Sequence, residues 1–315
     1  MSSPLISVRV QAMRFEAQGV LSVELCAPDL GPLPAFEAGA HIDLHLGNGI
    51  VRSYSLSNSP TERHRYVVGV LKDRASRGGS RYVHDTLRVG ATLSISAPRN
   101  NFPLDQGAAH SVLIAGGIGI TPISCMFGHL RGQGKSAELF YCARSRAEAA
   151  FTAQLLDQEN VTSHFDDEVG TPPDLKAFLA SKPRHAHFYC CGPTPMLNAF
   201  EAICEELDLP HVHIERFAAE KVDAVQGGSY VAELARSKQS ITVPAGKSLL
   251  DALLEAGISV DHSCREGVCG ACETKVIEGE LDHRDGVLSK SERASGKTMM
   301  VCVSGCKGQR LLLDI

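Results

Sequence analysis

The chain has 315 residues, more than one ordinary hydrophobic core can organise, which predicts two or three domains. Hydrophobic residues make up 43% and charged residues 21%, with no Trp and a formal net charge of -5. That balance argues against nucleic acid or an anionic membrane as a partner, and no apolar run is long enough to span a bilayer. The N-terminus lacks the basic-then-apolar layout of a secretion signal. Eleven cysteines then point to a reducing, cytoplasmic setting and to metal ligation rather than disulfides.

Residues 5–99 read as short strands broken by turns. Stretches 6–10, 21–25 and 41–46 alternate apolar and polar residues, and 66–71 and 92–96 continue the pattern. Pro32, Pro34, Gly39, Gly47 and Gly49 punctuate them, and the spacing predicts a small antiparallel barrel. Arg52, Ser53, Tyr54 and Ser55 lie together on one extended stretch of it. An Arg offers a donor fork for phosphate and a Tyr a flat face for a planar ligand. Taken alone, the plainer reading of four such residues is an exposed polar strand. Gly78, Gly79 and Ser80 precede a helical pattern at 81–85, either an anion site built from free N–H groups or simply a capped turn.

From Ser111 the period changes. Residues 112–115 form a continuous apolar run, as in a buried parallel strand, and lead into Gly116, Gly117 and Gly119 and a helix over 123–130. Glycines there let backbone approach a pyrophosphate at a helix start, although the spacing is not the G-x-G-x-x-G fingerprint. Strands at 138–142 and 187–190 and helices over 147–158 and 197–206 complete an alternating series. Such a series is a doubly wound α/β nucleotide domain. Cys191, Gly192 and Pro193 fall at the carboxyl end of a strand, where these sheets bind ligands; a structural turn reads equally well.

Residues 218–229 are small and polar without periodicity and read as a linker. Strands at 230–234 and 239–243 follow, Ser248 caps a helix over 249–256, and 311–313 closes the chain as a strand. Between that helix and the last strand, Cys264, Cys269 and Cys272 stand in C-x4-C-x2-C spacing, with Cys302 beyond. This is the plant-type [2Fe–2S] pattern: soft thiolates close in sequence wrap one side of the cluster and a distant one completes it. Gly267 and Gly270 let the loop bend tightly, so that its N–H groups can point at the sulfurs. Zinc would want two short ligand pairs, and Cys302 has only Cys306 for company, at an unsuitable spacing. The surrounding order of elements makes a β-grasp ferredoxin module. Cys26, Cys125, Cys142 and Cys204 are expected to pack as small apolar residues.

Together the three parts resemble the phthalate dioxygenase reductase family over essentially the whole length. The likeness is carried by Arg52, Ser53, Tyr54 and Ser55, by Gly78, Gly79 and Ser80, by residues 116–122 and 190–193, and by the four spaced cysteines. Stretches 97–104 and 280–285 are also similar. The resemblance implies a multidomain protein: an FMN-binding antiparallel β-barrel at 1–103, an NAD-binding doubly wound α/β domain at 104–222, a linker at 223–229 and a β-grasp [2Fe–2S] ferredoxin domain at 230–315. It implies FMN rather than FAD, with Arg52, Gly79 and Ser80 near the phosphate, Tyr54 and Ser55 at the ring system, and Ser53 and Lys72 in the same cofactor-binding set. Gly116, Gly117, Gly119, Cys191, Gly192 and Pro193 fall on the family's nicotinamide-nucleotide site, and the resemblance implies that Thr121 contacts both cofactor domains. Ser55, Thr121 and Cys191 are the catalytic candidates. Phe217 matches an aromatic near the flavin, or else is a core residue before the linker.

Two departures stand out. Where the family commonly has an acidic residue after the first Arg, this chain reads Arg144, Ser145, Arg146. NADH is the expected donor, while Arg144 and Arg146 keep NADPH open, since an Arg suits a 2′-phosphate. Cys306 is the other departure and has no assigned role. The implied function is the reductase component of a Rieske-type oxygenase or O-demethylase, such as the vanillate type, acting on an aromatic acid or similar molecule. It would pass electrons from NADH through FMN and the cluster in a transient complex, and the chain is expected to be a monomer. A stand-alone NAD(P)H flavin reductase or diaphorase and a zinc-stabilised or redox-sensing protein are the competing classes.

Overall fold

The computed structural model describes residues 4–218 and 228–315, so the expected linker lies almost wholly outside the described residues. Contacts divide the chain into two compact units, Ser3–Glu215 and Arg216–Ile315.

The first unit begins with six strands, β1 (Ile6–Ala17), β2 (Val20–Cys26), β3 (Ala40–His45), β4 (Val51–Ser55), β5 (Tyr66–Leu71) and β6 (Thr92–Ile95), followed by a short β7 (Arg99–Asn100). A helix, α1 (Gly79–Asp85), sits between β5 and β6. The order is β4-β3-β6-β1-β2-β5, with β7 added to β3 and every pairing antiparallel. A bridge from Leu56 to Val68 joins the two ends and closes the sheet into the expected barrel. Alternation decides the interior: Val8, Val10, Val23, Leu25, Ile42 and Leu44 are all fully buried.

One turn fixes how the barrel joins the segment after β7. Gly39 holds φ +94, and a Cβ there would lie 1.9 Å from the carbonyl oxygen of Phe102. Phe102, in the similar stretch 97–104, is buried beneath it. Arg99 donates to the buried Asp43 at 2.6 Å, and Asp43 also accepts from Ser53 at 2.5 Å.

The rest of this unit alternates, as expected. It comprises β8 (Ser111–Gly116), α2 (Ile120–Gly132), β9 (Ala137–Ala143), α3 (Thr152–Leu155), β10 (Val161–Phe165), α4 (Asp166–Val169), α5 (Leu175–Ala180), β11 (His187–Cys191), α6 (Thr194–Glu206) and β12 (Val212–Glu215). The sheet is parallel, in the order β10-β9-β8-β11-β12. Strand β8 lies at its centre and is buried along its whole length, hence its unbroken apolar run. The direction of winding reverses between β8 and β11, which opens a crevice at their carboxyl ends.

The helix expected over 147–158 is not formed. A 3-10 turn at Arg146–Glu148 and the single turn α3 replace it. Phe151 takes a left-handed φ of 60, which ends any helix, and its buried ring packs against Gly69 of β5. Burial of that ring outweighs local helix propensity. Strands β10 and β12 add to the expected set; both lie at sheet edges, where half-exposed polar residues blur the pattern.

The second unit contains β13 (Tyr230–Leu234), β14 (Gln239–Val243), α7 (Leu249–Glu255), β15 (Glu273–Glu278), β16 (Leu281–Asp282), α8 (Lys290–Ser295), β17 (Thr298–Met300), β18 (Gly305–Cys306) and β19 (Arg310–Leu313). Its main sheet runs β14-β13-β19-β15-β17, with β13 and β19 parallel and the other neighbours antiparallel. Ser248 caps α7 by accepting from the Asp251 N–H at 3.0 Å, and Leu249, Leu250 and Leu253 are buried in the core. This is the β-grasp arrangement. Among the described residues no helix is long and apolar enough to cross a membrane.

Gly39→Ala combines a backbone clash with a left-handed φ. It should cost roughly 3 kcal/mol or more. Thermal unfolding should show a melting temperature about 6–12 °C lower, the scale for a unit of this size; an unchanged melting curve would mean that the turn relaxes freely.

Candidate active site and metal centre

Strand β4 carries the first group of candidate residues. Its alternation separates Arg52 and Tyr54 from Ser53, whose hydroxyl is occupied by Asp43. Arg52 packs directly on the start of α1: a Cβ on Gly79 would lie 2.6 Å from the Arg52 Cγ and 3.0 Å from its Nε. A side chain at 79 would displace the guanidinium stem. Ser80 turns to the preceding loop, accepting from the Asp73 N–H at 3.2 Å and donating to Ser76 at 3.0 Å. Lys72 is ion-paired with Asp85 at 2.6 Å. Burial raises the Tyr54 phenol to about 12, so it stays protonated. Arg52, Tyr54 and Gly79 therefore form a cationic, aromatic and open-backbone surface that fits a planar phosphate ligand, whereas Ser53 and Lys72 have partners within the fold.

The carboxyl ends of β8 and β11 supply the second group. A Cβ on Gly119 would lie 2.1 Å from the Cys191 carbonyl oxygen and 2.8 Å from the Gly192 nitrogen. One on Gly116 would lie 2.7 Å from the Pro193 ring and 3.2 Å from the Gly192 Cα. The two turns thus form one backbone floor with no room for side chains. Gly117, at φ +52, faces open space, so a ligand can approach the backbone there. Thr121 donates to the Ile118 carbonyl at 3.0 Å, and its methyl group packs on Gly69 of the barrel, where a Cβ would come within 2.6 Å. It touches both halves of the unit. Arg144 is exposed just beyond β9.

A residue not singled out from the sequence joins the two groups. Glu215 ends β12, opposite Cys191 of β11, and accepts a hydrogen bond from the Ser55 hydroxyl at 3.3 Å. Its side chain reaches inward, and burial raises its carboxyl to about 8, only partly offset by Ser55. Burial likewise raises the Cys191 thiol, helped by the Glu215 charge, so both groups are neutral at pH 7. The fold favours the protonated carboxyl. Its contribution therefore holds below the ordinary carboxylate range and is lost as pH rises towards about 8. Nothing in the sequence marks Glu215: its partner Ser55 is 160 positions away.

The metal centre lies wholly in the second unit. Cys264, Cys269, Cys272 and Cys302 are all buried. Their thiols lie in mutual contact, Cys264 with Cys269 and Cys302, and Cys302 also with Cys272. Four soft thiol ligands gathered in one place fit a [2Fe–2S] cluster. Contacts with Cys269 and Cys302 lower the Cys264 pKa, while the same contacts raise those of its partners.

Gly267 and Gly270 take φ of +71 and +70, as the tight loop requires. The Glu266 N–H donates to the Cys264 sulfur at 3.3 Å, and the Cys264 N–H to the Cys269 sulfur at 3.5 Å. Asp285, from the similar stretch 280–285, braces this loop from below: a Cβ on Gly267 would lie 3.1 Å from its Cα. Its buried carboxylate accepts from the Val287 and Leu288 N–H groups at 3.1 and 2.8 Å. Cys306 is buried nearby on β18 and donates weakly to the Arg310 carbonyl at 3.5 Å. Phe217 is 41% exposed at the start of this unit, and its role at the flavin rests on the resemblance alone.

A closed barrel with this cationic aromatic strand, a switch-point crevice and a four-thiol loop define an iron–sulfur flavoprotein reductase. Residues 232–307 match the 2Fe-2S iron-sulfur cluster binding domain, Fer2. The chain is 50% identical over 311 residues to a phenoxybenzoate dioxygenase subunit beta from Ectopseudomonas oleovorans, covering 98% of this chain and 97% of that one. It is 46% identical over 326 residues to a tetrachlorobenzoquinone reductase from Sphingobium chlorophenolicum, covering all of both. The solved phthalate dioxygenase reductase, a modular structure for electron transfer from pyridine nucleotides to [2Fe-2S], superposes with a TM-score of 0.73 at 37% identity, over 99% of this chain and 98% of that one. An intact type IV self-sufficient cytochrome P450 monooxygenase superposes with a TM-score of 0.91 at 39% identity; all but 1% of this chain is covered but only 41% of that one. The chain belongs to the phthalate dioxygenase reductase family. It is an oxidoreductase with a [2Fe–2S] cluster domain.

Two outcomes test these sites. Glu215→Gln should abolish a carboxyl titration near pH 8 in infrared difference spectra, and Ser55→Ala should move that inflection upward by removing the hydrogen bond that opposes it. Cys302→Ala should lose iron, acid-labile sulfide and visible cluster absorption, whereas Cys306→Ala should keep all three.

Proposed function

We propose that this chain takes hydride from NADH and delivers single electrons to the Rieske-type component of a separate oxygenase acting on an aromatic acid or similar molecule. The observation that carries this reading is the Ser55–Glu215 hydrogen bond, with Thr121 on Gly69 beside it. It links the flavin strand of the barrel to the carboxyl edge of the nucleotide sheet. Hydride transfer needs two ring systems held against each other, and a reading with two separate sites would leave this contact without purpose.

In this reading Arg52 and the α1 start hold the FMN phosphate, and Tyr54 and Ser55 hold its ring. The turns at Gly116, Gly117 and Gly119 and at Cys191, Gly192 and Pro193 hold the nicotinamide nucleotide. The chemistry supplied by bound FMN is conversion of a two-electron hydride into single electrons that a [2Fe–2S] cluster can accept. Cys191 keeps a neutral thiol at the floor and so adds no charge that would repel the incoming hydride. Glu215, protonated below about pH 8, can hold a proton next to the Ser55 hydroxyl and exchange it through that contact. N–H groups aimed at the Cys264 and Cys269 sulfurs would stabilise negative charge on these ligands of a bound cluster.

The oxygenase as partner follows the phenoxybenzoate dioxygenase and the P450 monooxygenase relatives, both oxygen-activating systems. Eleven cysteines, none of them in a disulfide, favour a reducing, cytoplasmic setting, and the complex with the partner would be transient, formed by a monomer. A second reading is favoured by the tetrachlorobenzoquinone reductase relative: direct reduction of a small quinone.

Anaerobic titration with NADH should bleach flavin and cluster absorption together in the wild type, and only the flavin in Cys302→Ala. If Cys302→Ala reduces its physiological acceptor at the wild-type rate, the quinone-type reading replaces the oxygenase relay.

A further inference from the structure

Strands β9 and β10 lie side by side, so the turns after them meet at the carboxyl edge of the nucleotide sheet. Arg144, Ser145 and Arg146 stand there against Asp166, Asp167 and Glu168. The Asp167 N–H donates to the Arg144 carbonyl at 3.0 Å and ties the two turns together. Arg146 donates through Nε and Nη2 to both oxygens of Glu168, at 2.9 and 3.1 Å, and lies 4.5 Å over the ring of Phe165. Ser145 is itself used as a cap, accepting from the Glu148 N–H at 3.3 Å.

Of the two arginines that left NADPH open, Arg146 therefore has its donor fork already matched to a carboxylate. An exposed ion pair taken alone is weak and would yield to a phosphate dianion. Here a bidentate fit and the ring beneath act together with two further carboxylates on the same turn, and those would repel a dianion at close range. Arg144 stands on the facing turn, and the His164 ring lies 3.4 Å from Asp166.

We propose that Glu168 is the residue that sets the choice of nicotinamide nucleotide: it occupies Arg146 and, with Asp166 and Asp167, turns this edge against a 2′-phosphate and towards the 2′-hydroxyl of NADH. It does so from the turn after the third strand of the domain, in place of the acidic residue the family places after the first Arg. The proposal rests on the reading of this crevice as a pyridine-nucleotide site.

The test uses the full-length holoprotein as wild type, Glu168→Gln, Arg146→Ala and the double variant. Anaerobic flavin reduction gives kcat/KM for NADH and NADPH, and calorimetric titration with adenosine 5′-monophosphate and adenosine 2′,5′-bisphosphate gives binding without turnover. Glu168→Gln should raise the NADPH-to-NADH ratio about tenfold, mainly through KM, and tighten the bisphosphate relative to the monophosphate by a similar factor. The double variant should lose that gain, because the freed Arg146 is its source. A ratio within about twofold of wild type in Glu168→Gln would overturn the proposal, as would a loss of NADPH use in Arg146→Ala alone, which would make Arg146 a phosphate ligand already. Failure of both nucleotides to reduce the wild-type flavin would instead remove the nucleotide reading beneath it.

Discussion

Everything in the first unit depends on how closely two pieces of backbone approach each other. The turn after β8 and the turn after β11 touch so tightly that Gly119 has a carbonyl oxygen 2.1 Å from where a Cβ would be. Such contact makes a close-packed floor at the point where the sheet changes direction, and it leaves the backbone at Gly117 open to a ligand. A phosphate chain needs such a surface, with N–H groups present and side chains withdrawn. The barrel is then registered onto this floor by two further close approaches, Thr121 on Gly69 and Phe151 beside it. The fold brings the barrel and the parallel sheet together through places where side chains are absent.

The ferredoxin unit solves a related problem by a different means. Its loop must curve round an inorganic cluster while offering hydrogen-bond donors to sulfur, so Arg265 joins Gly267 and Gly270 in left-handed conformations. A loop in that state has little intrinsic order. The order comes from Asp285, whose buried carboxylate is fixed by two backbone donors and whose own backbone lies against Gly267. The stretch 280–285 thus belongs to the metal centre although it supplies no thiolate.

How much of this is legible in the residues alone depends on how local each signal is. The thiolates are legible because their spacing is a local pattern, and the interior strands because they alternate or run apolar. Strands β12 and β10 escape notice because edge strands carry polar residues on their open side. Periodicity favours a helix over 147–158, but a buried Phe151 in a left-handed conformation decides the segment instead. Glu215 and Glu168 are beyond reach for the same reason: an acidic residue acquires meaning from partners 160 and 22 positions away, Ser55 and Arg146, and no periodicity encodes that pairing. Ser53 and Lys72 show the converse, polar residues beside a site whose side chains are already used by Asp43 and Asp85.

The remaining thiols have a consequence for the protein's working life. Cys26, Cys125, Cys142, Cys191, Cys204 and Cys306 are all buried, and burial raises the pKa of each. A thiol kept protonated and out of solvent is a poor nucleophile and reacts slowly with peroxide. Peroxide is a natural by-product wherever reduced flavin or a stalled oxygenase meets dioxygen. The polypeptide can therefore carry these thiols through that environment with little cross-linking or sulfenic acid formation at them.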